Sequence, residues 1–211
     1  MIERYTLPEM GALWTEAYKL KTWLDVEIAV CEAQAELGYI PMDAVEEIKA
    51  KANFDPQRVL EIEAEVRHDM LAFLTNVNEY VGDAGRYIHL GLTSSDVLDT
   101  ALALQLIASL DLILQQLENL SQAVRYQAQQ HRYTVMVGRS HGIHAEPITF
   151  GFKLAGWLAE IFRGRDRLVR LRDTISVGKI SGAVGTYANV DPRIEAIACQ
   201  KLGLTPDTAS T

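Results

Sequence analysis

The feature that most constrains this chain is one long, uninterrupted helical stripe. From Ser95 to about His131, the residues Leu98, Leu102, Leu106, Leu110, Ile113, Leu117, Leu120 and Val124 recur by threes and fours, which is one face of a single helix. At the rise of an α-helix this segment reaches roughly 50 Å, more than the core of a compact domain of this size needs. Thr93-Ser94-Ser95-Asp96 offers several side-chain oxygens to cap its start. A second run, from Pro147 to about Ile175, repeats the pattern through Phe150, Leu154, Trp157, Ile161, Leu168, Leu171 and Ile175. A chain of 211 residues cannot cover two such stripes alone. Helices from other subunits are the natural cover, so an oligomeric helical bundle is expected.

Shorter helices are predicted at roughly 15–37, 42–52, 56–66 and 68–81. Asp55-Pro56 and Asp191-Pro192 each read as an N-cap followed by proline at the first helical position. Pro41 and Pro147 read as helix starts, and Gly38 and Gly203 as C-terminal stops. Only Tyr133–Val137 has a short β-branched run, which could pair locally or lie in an extended connection. The fold class is therefore all-α. Residues 1–92 are read as a small N-terminal helical domain, and residues 93–211 as the first long helices of a central bundle.

Composition narrows the function classes. Hydrophobic residues make up 48% and charged residues 23%, as in an ordinary globular chain and unlike a disordered one. A formal net charge of -8 argues against an extended nucleic-acid surface, while leaving room for a local cationic pocket. Cys31 and Cys199 are the only cysteines, and read as free thiols of a reducing compartment. Glu3, Arg4 and Glu9 interrupt the N-terminus, so no signal peptide is expected there. Charges also break the apolar stretches, so no membrane span is expected and a cytoplasmic location follows.

Four polar islands do not look like packing material. Arg67-His68-Asp69 opens a helix whose apolar face is Met70, Leu71, Phe73 and Leu74; Asp69 suits the positive helix end, and the cluster reads equally as cap and ion pair or as a site. His89 through Asp96, with three hydroxyls at a helix start, could take a carboxylate or phosphate, although Ser and Thr are also the usual caps. Gly138 through Pro147 joins the two long helices and carries Arg139, His141, His144 and Glu146. A metal reading of the two histidines lacks a third ligand nearby, and a histidine acting as general acid or base is the better functional idea. Gly178 through Asn189 is glycine-rich, but its spacing fits neither the P-loop nor the dinucleotide fingerprint, and a loop ordered by glycine turns is the simpler account.

Taken together, these islands closely resemble the adenylosuccinate lyase family of the fumarase/aspartase superfamily. The matching pieces are Met1 through Tyr5, Arg67-His68-Asp69, Gly91 through Asp96, Thr134 through Pro147, and Gly178 through Tyr187. The resemblance implies a β-elimination that splits a C–N bond and releases fumarate, with no metal and no cofactor. Adenylosuccinate would give AMP, and succinylaminoimidazole carboxamide ribotide would give the corresponding carboxamide. It makes His141 the general acid toward the leaving nitrogen. His68, an acid candidate by chemistry alone, falls in the nucleotide and phosphate region, flanked by Arg67 and Asp69 as substrate contacts. Arg4 and Tyr5 would hold the nucleotide, Thr93 and Ser94 a carboxylate of the succinyl arm, and His89 would help with phosphate; His144 supports His141 or packs.

The resemblance also implies a homotetramer whose active sites draw on three neighbouring subunits. Its mobile loop, with the serine thought to act as base and a lysine that stabilises the intermediate, falls beyond position 211. The chain thus reads as an amino-terminal fragment or a truncated reading frame, expected to show little or no fumarate release on its own. Two alternatives stay open. One is another superfamily member, such as an argininosuccinate lyase or a carboxymuconate cycloisomerase, against which the phosphate-directed Arg4, Tyr5, His68 and His89 weigh. The other is a non-catalytic helical scaffold.

Overall fold

The structure is a computed structural model that describes residues 2–209. It is all-α in character, with the long helices dominant and only two small sheets among the described residues. After a 3-10 turn at Glu3–Tyr5 come α1 (Pro8–Ala12), α2 (Glu16–Glu36), α3 (Met42–Lys51), α4 (Pro56–Val66) and α5 (Asp69–Val81). A second 3-10 turn, Gly82–Tyr87, leads to α6 (Ser94–Gln130). The chain then forms β1 (Val135–Ser140) and β2 (Ile143–Thr149), returns along α7 (Phe150–Ile175), and finishes with β3 (Val177–Gly178), α8 (Pro192–Leu202) and β4 (Thr205–Pro206).

The helix boundaries follow local capping chemistry. The Asp55 and Asp191 carboxylates accept the backbone N–H groups of Gln57 and Arg193, with proline at the first helical position in each case. Gly38 and Gly203 take positive φ just beyond the ends of α2 and α8. Pro41 is the residue before α3, as the spacing predicts. Pro147 is not a helix start. It lies in β2 opposite Val137, in an isolated hairpin where a missing N–H need not break a ladder and extended backbone suits proline. α7 instead begins two residues after Ile148, where the Thr149 hydroxyl accepts the N–H of Phe152 at 3.1 Å. The β-branched run from Tyr133 therefore pairs locally.

The residues form two compact units: 1–108 with 175–211, and 109–174. These run along different lines from the sequence division at residue 92, because α6 is long enough to contribute to both and the segment after α7 rejoins the first unit. In the first unit α2 packs against α3 and α8, and α4 against α5. More than half of α2 is buried, so this helix is the unit's axis and not a one-sided surface helix. Phe73, fully buried, meets the edge of Trp23 at a centroid distance of 5.5 Å and tilts against Phe54, a geometry that suits aromatic quadrupoles.

In the second unit the rest of α6 and α7 run antiparallel. Arg172 forms a two-pronged ion pair with Asp111, the Arg125 guanidinium lies over Phe162, and His131 meets the edge of Phe150. Between the two helices lies a groove of about 530 Å³ lined by Leu117, Leu120, Val124, Trp157, Ile161 and Gly164 among others. Trp157 is 51% and Phe152 71% exposed. The long apolar stripes predicted from the sequence are thus present and only partly covered: Leu110 and Leu154 are buried, whereas Leu102, Ile113, Leu120 and Trp157 stay exposed.

One expectation needs correction. Charges do not break α6 enough to remove it from consideration as a span, since it is long and apolar enough to cross a membrane by length and composition. Its first turns carry buried Asp96 and Thr100 alongside Val97 and Ala101 in the core of the first unit. Burial falls off beyond those turns, and 39% of the apolar window as a whole is buried.

Candidate functional site

The start of α6 is organised by one carboxylate. Asp96, fully buried and in the third position of α6, accepts the N–H of Thr93, the residue before the helix, at 2.9 Å through Oδ2. Its Oδ1 accepts the N–H groups of Ser181 and Gly182, each at 3.1 Å, and the ammonium of Lys179 at 2.6 Å. Lys179 is itself buried and also donates to the carbonyl of Gly182. A buried charge is tolerable only when paired and fully hydrogen-bonded, and this cluster meets that condition. The Thr93 and Ser94 hydroxyls beside it are half-buried.

The glycine-rich segment is thereby ordered by charge and not by glycine turns alone. The Thr100 hydroxyl bonds both the N–H and the carbonyl of Lys179. Buried Glu195 on α8 accepts the N–H of Ile180 at 2.7 Å and the Tyr187 hydroxyl at 2.6 Å. That bond to Glu195, with burial second, pushes the Tyr187 phenol up to about 12. Gly91 takes φ +79°, and a Cβ there would stand 2.4 Å from the carbonyl oxygen of Asn189. The second and fourth polar islands are therefore one packed assembly in the first unit.

His89 belongs to the same assembly. Its Nδ1 lies 2.6 Å from Oε1 of Glu27, whose Oε2 accepts the His89 backbone N–H at 3.0 Å. The Arg67–Asp69 island lies at the junction of α4 and α5. Arg67 ends α4 in the left-handed region, and the His68 ring is the N-cap of α5, its Nδ1 accepting the N–H of Leu71 at 3.3 Å. Asp69 accepts the N–H of Met70. All three side chains are exposed, so the cap role and an outward-facing ligand role coexist. Arg4 stacks over the exposed ring of Tyr5 at 4.8 Å.

His141 lies in the second unit, at the tip of the β1–β2 hairpin. Ser140 pairs with Ile143, so His141 and Gly142 are the two turn residues, with φ of +52° and +75°. Two positive φ values in a two-residue loop are the twisted turn that hairpins favour, normally filled by Asn-Gly. Gly138 marks a bulge, where a Cβ would meet the carbonyl of Glu146 at 2.6 Å. Arg139 pairs with His144 across the strands, and the side chains of the turn, His144 included, are exposed. Both strands also expose apolar residues, Val135 and Ile143 among them. A two-stranded hairpin is marginal alone, and this one leaves the His141 imidazole exposed at its tip.

Comparison with known proteins identifies the setting. The profile of the family described as lyase matches residues 3–210. The chain belongs to the lyase family. It is 87% identical over its whole length to the adenylosuccinate lyase of Synechocystis sp., and 50% identical to that of Bacillus subtilis, spanning 49% of each. The chain thus covers about half the length of the curated relatives it matches. Among solved structures, a fumarate lyase from Mesorhizobium sp. superposes with a TM-score of 0.90 at 32% identity, over 95% of this chain and 49% of that one. The 3-carboxy-cis,cis-muconate lactonizing enzyme of Pseudomonas putida gives 0.89 at 33%, over 97% and 49%. Fold and family membership in the fumarase/aspartase group agree with the resemblance carried by the polar islands.

Several residues of the site escaped sequence reading. Glu27, Lys179 and Glu195 were not singled out, and Asp96 was read only as one of four possible caps. A usable signal existed for one of them: Glu27 stands one turn from Trp23, Leu24 and Val30 on α2, and a carboxylate buried among them needs a partner.

Proposed function

We propose that the protein to which this chain belongs is an adenylosuccinate lyase of purine biosynthesis, releasing fumarate from adenylosuccinate to give AMP and from succinylaminoimidazole carboxamide ribotide to give the carboxamide. The observation that carries this reading is the 87% identity to the Synechocystis enzyme across the whole chain, motifs included. The superfamily alternatives share the fold but only about a third of the residues, so the structural likeness gives them no comparable support.

In the reaction a base removes a proton from the succinyl carbon beside a carboxylate. The electron pair left behind forms the fumarate double bond as the C–N bond breaks, and an acid returns a proton to the departing nitrogen. We assign that acid to His141, whose exposed position on a tight turn suits a group that must enter a pocket built elsewhere. His68 is retained as a second candidate for acid–base work and for nucleotide contact, with Arg67, Asp69, Arg4 and Tyr5 as nucleotide contacts and His89 toward phosphate. Thr93 and Ser94, half-buried hydroxyls at the start of α6, are assigned to a substrate carboxylate. The base is assigned to sequence outside these 211 residues, since the relatives are about twice as long.

The division into an N-terminal helical domain, 1–92, and a bundle beginning at 93 is proposed on the same footing. So is a homotetramer, supported by the uncovered groove between α6 and α7 and by a hairpin exposed on both faces. A cytoplasmic location accords with two buried free thiols. The test is His141→Ala in the whole protein. Turnover, followed as fumarate release, should fall about a thousandfold with folding unchanged, a loss of roughly 4 kcal/mol in transition-state stabilisation. Unaltered turnover would overturn the assignment of the acid to His141, and no turnover in the unmutated protein would leave the scaffold reading standing.

A further inference from the structure

One side of α2 carries a row of polar groups that no reading of the site has used. Glu27, Cys31 and Gln34 stand at spacings of four and three, so they face the same way. All three are buried. The Glu27 carboxylate takes the backbone N–H and ring Nδ1 of His89, the Cys31 thiol lies 3.7 Å from the carbonyl of Tyr87, and the Gln34 amide donates to the carbonyl of Leu90 at 2.8 Å. Three successive positions on one helix thus grip the segment from Tyr87 to Leu90, which carries His89 to the start of α6.

The geometry at His89 is more specific than packing requires. Its backbone is left-handed, at φ +66°, a conformation that costs a side-chain-bearing residue on the order of 1 kcal/mol. Both oxygens of one carboxylate are spent on this single residue, one on its backbone and one on its ring. With Nδ1 engaged by a side chain that is 1% exposed, the ring retains one nitrogen, Nε2, for anything outside; the His89 side chain is 20% exposed. A buried carboxylate with two lone-pair directions committed also cannot be replaced by an amide without loss. The amide has one oxygen for two donors, so its NH2 either faces the Nδ1 proton or drives the ring to the other tautomer.

From this we infer that Glu27 is a positioning residue: it clamps His89 so that Nδ1 carries a proton toward the helix while Nε2 is presented to the phosphate of the nucleotide. This rests on the reading of His89 as a phosphate-directed group. Glu27 does not touch substrate; it acts by fixing the rotamer and tautomer of a residue that does, as carboxylates behind functional histidines generally do.

The test uses the whole protein, in unmutated form and as Glu27→Gln, His89→Ala and the double variant. Nitrogen-15 NMR of His89 in the unmutated protein should show Nδ1 protonated, and Nε2 shifting when AMP is added; an unprotonated Nδ1 overturns the clamp and needs no variant to fold. Binding of AMP and of adenosine is then compared. Glu27→Gln should weaken AMP about ten- to a hundredfold, leave adenosine within about twofold, and add little when His89 is already alanine. Equal losses for AMP and adenosine would mean that Glu27 serves only the stability of the domain, and would overturn the inference. If His89→Ala weakens AMP while Glu27→Gln does not, the clamp fails and the phosphate reading survives. If His89→Ala leaves AMP binding intact, the phosphate reading falls, and the clamp with it.

Discussion

The assembly around Asp96 and the hairpin that carries His141 solve opposite problems. In the first, two segments distant in sequence are locked by buried charge: Asp96 joins Lys179 across 83 positions, and Glu27 joins His89 across 62. In the second, every residue of the turn is local and exposed, and ladder hydrogen bonds alone set its shape. The contrast teaches that the segments carrying His89, Thr93 and Ser94 are pre-organised by the chain itself, whereas the proposed acid, like the exposed Arg67, His68 and Asp69, is displayed. Pre-organised donors cost nothing to arrange at the moment of binding. A displayed imidazole acquires its working environment only when other protein surrounds it.

The sharpest way to break this comparison is to remove a buried charge partner. Lys179→Met leaves the Asp96 carboxylate buried beside backbone N–H groups alone, and should cost about 3–5 kcal/mol of stability in chemical denaturation. A cost under 1 kcal/mol would mean that the assembly is not locked by charge. Gly91→Ala comes next. Its Cβ meets the Asn189 carbonyl at 2.4 Å in a backbone region that alanine disfavours, so a loss of about 2 kcal/mol is expected from thermal melting.

Raising the pH probes the same region more gently. Burial, with help from Glu27 and Glu32, pushes the Cys31 thiol up to about 12, and burial followed by Glu195 does the same for Cys199, from an ordinary value of 9.0. The unfolded chain can ionise these thiols from about pH 9 while the folded chain holds them neutral to about 12. Their contribution is therefore complete below pH 9 and is lost as pH rises through that window. Unfolding midpoints should fall between pH 9 and 12, and less steeply in Cys199→Ala. Both thiols should also resist alkylation at pH 8 until the chain is unfolded. The smallest effect belongs to the hairpin: Ile143→Ser, at a position 66% exposed, should change the stability of this chain by under about 0.5 kcal/mol. A larger loss would show that the hairpin is not merely displayed.

The same contrast explains what could be read from sequence. Helices α2 to α5 lie within a residue or two of their predicted bounds, because helical period, the Asp-Pro caps and glycine stops are all local signals. α6 was legible for the same reason. The hairpin was not: its strands are short and exposed on both faces, so no period-2 burial pattern marks them, and Pro147 imitates a helix start. His141 was found by its neighbours' chemistry, yet its place at a turn tip was not. Thr93 and Ser94 were found as oxygens at a helix start. What holds this helix start in place is the Asp96 carboxylate, whose partners Lys179, Ser181 and Gly182 lie in another part of the chain, and pairing across such separations leaves no trace in local pattern.

The turn at His141-Gly142 has one further consequence. Its two positive φ values would be met more comfortably by asparagine than by histidine. A selection for thermal tolerance alone would therefore drive position 141 away from histidine, and would improve the protein on paper while discarding the proton donor assigned to it. Any effort to harden this protein should hold that residue fixed and look for its gains elsewhere.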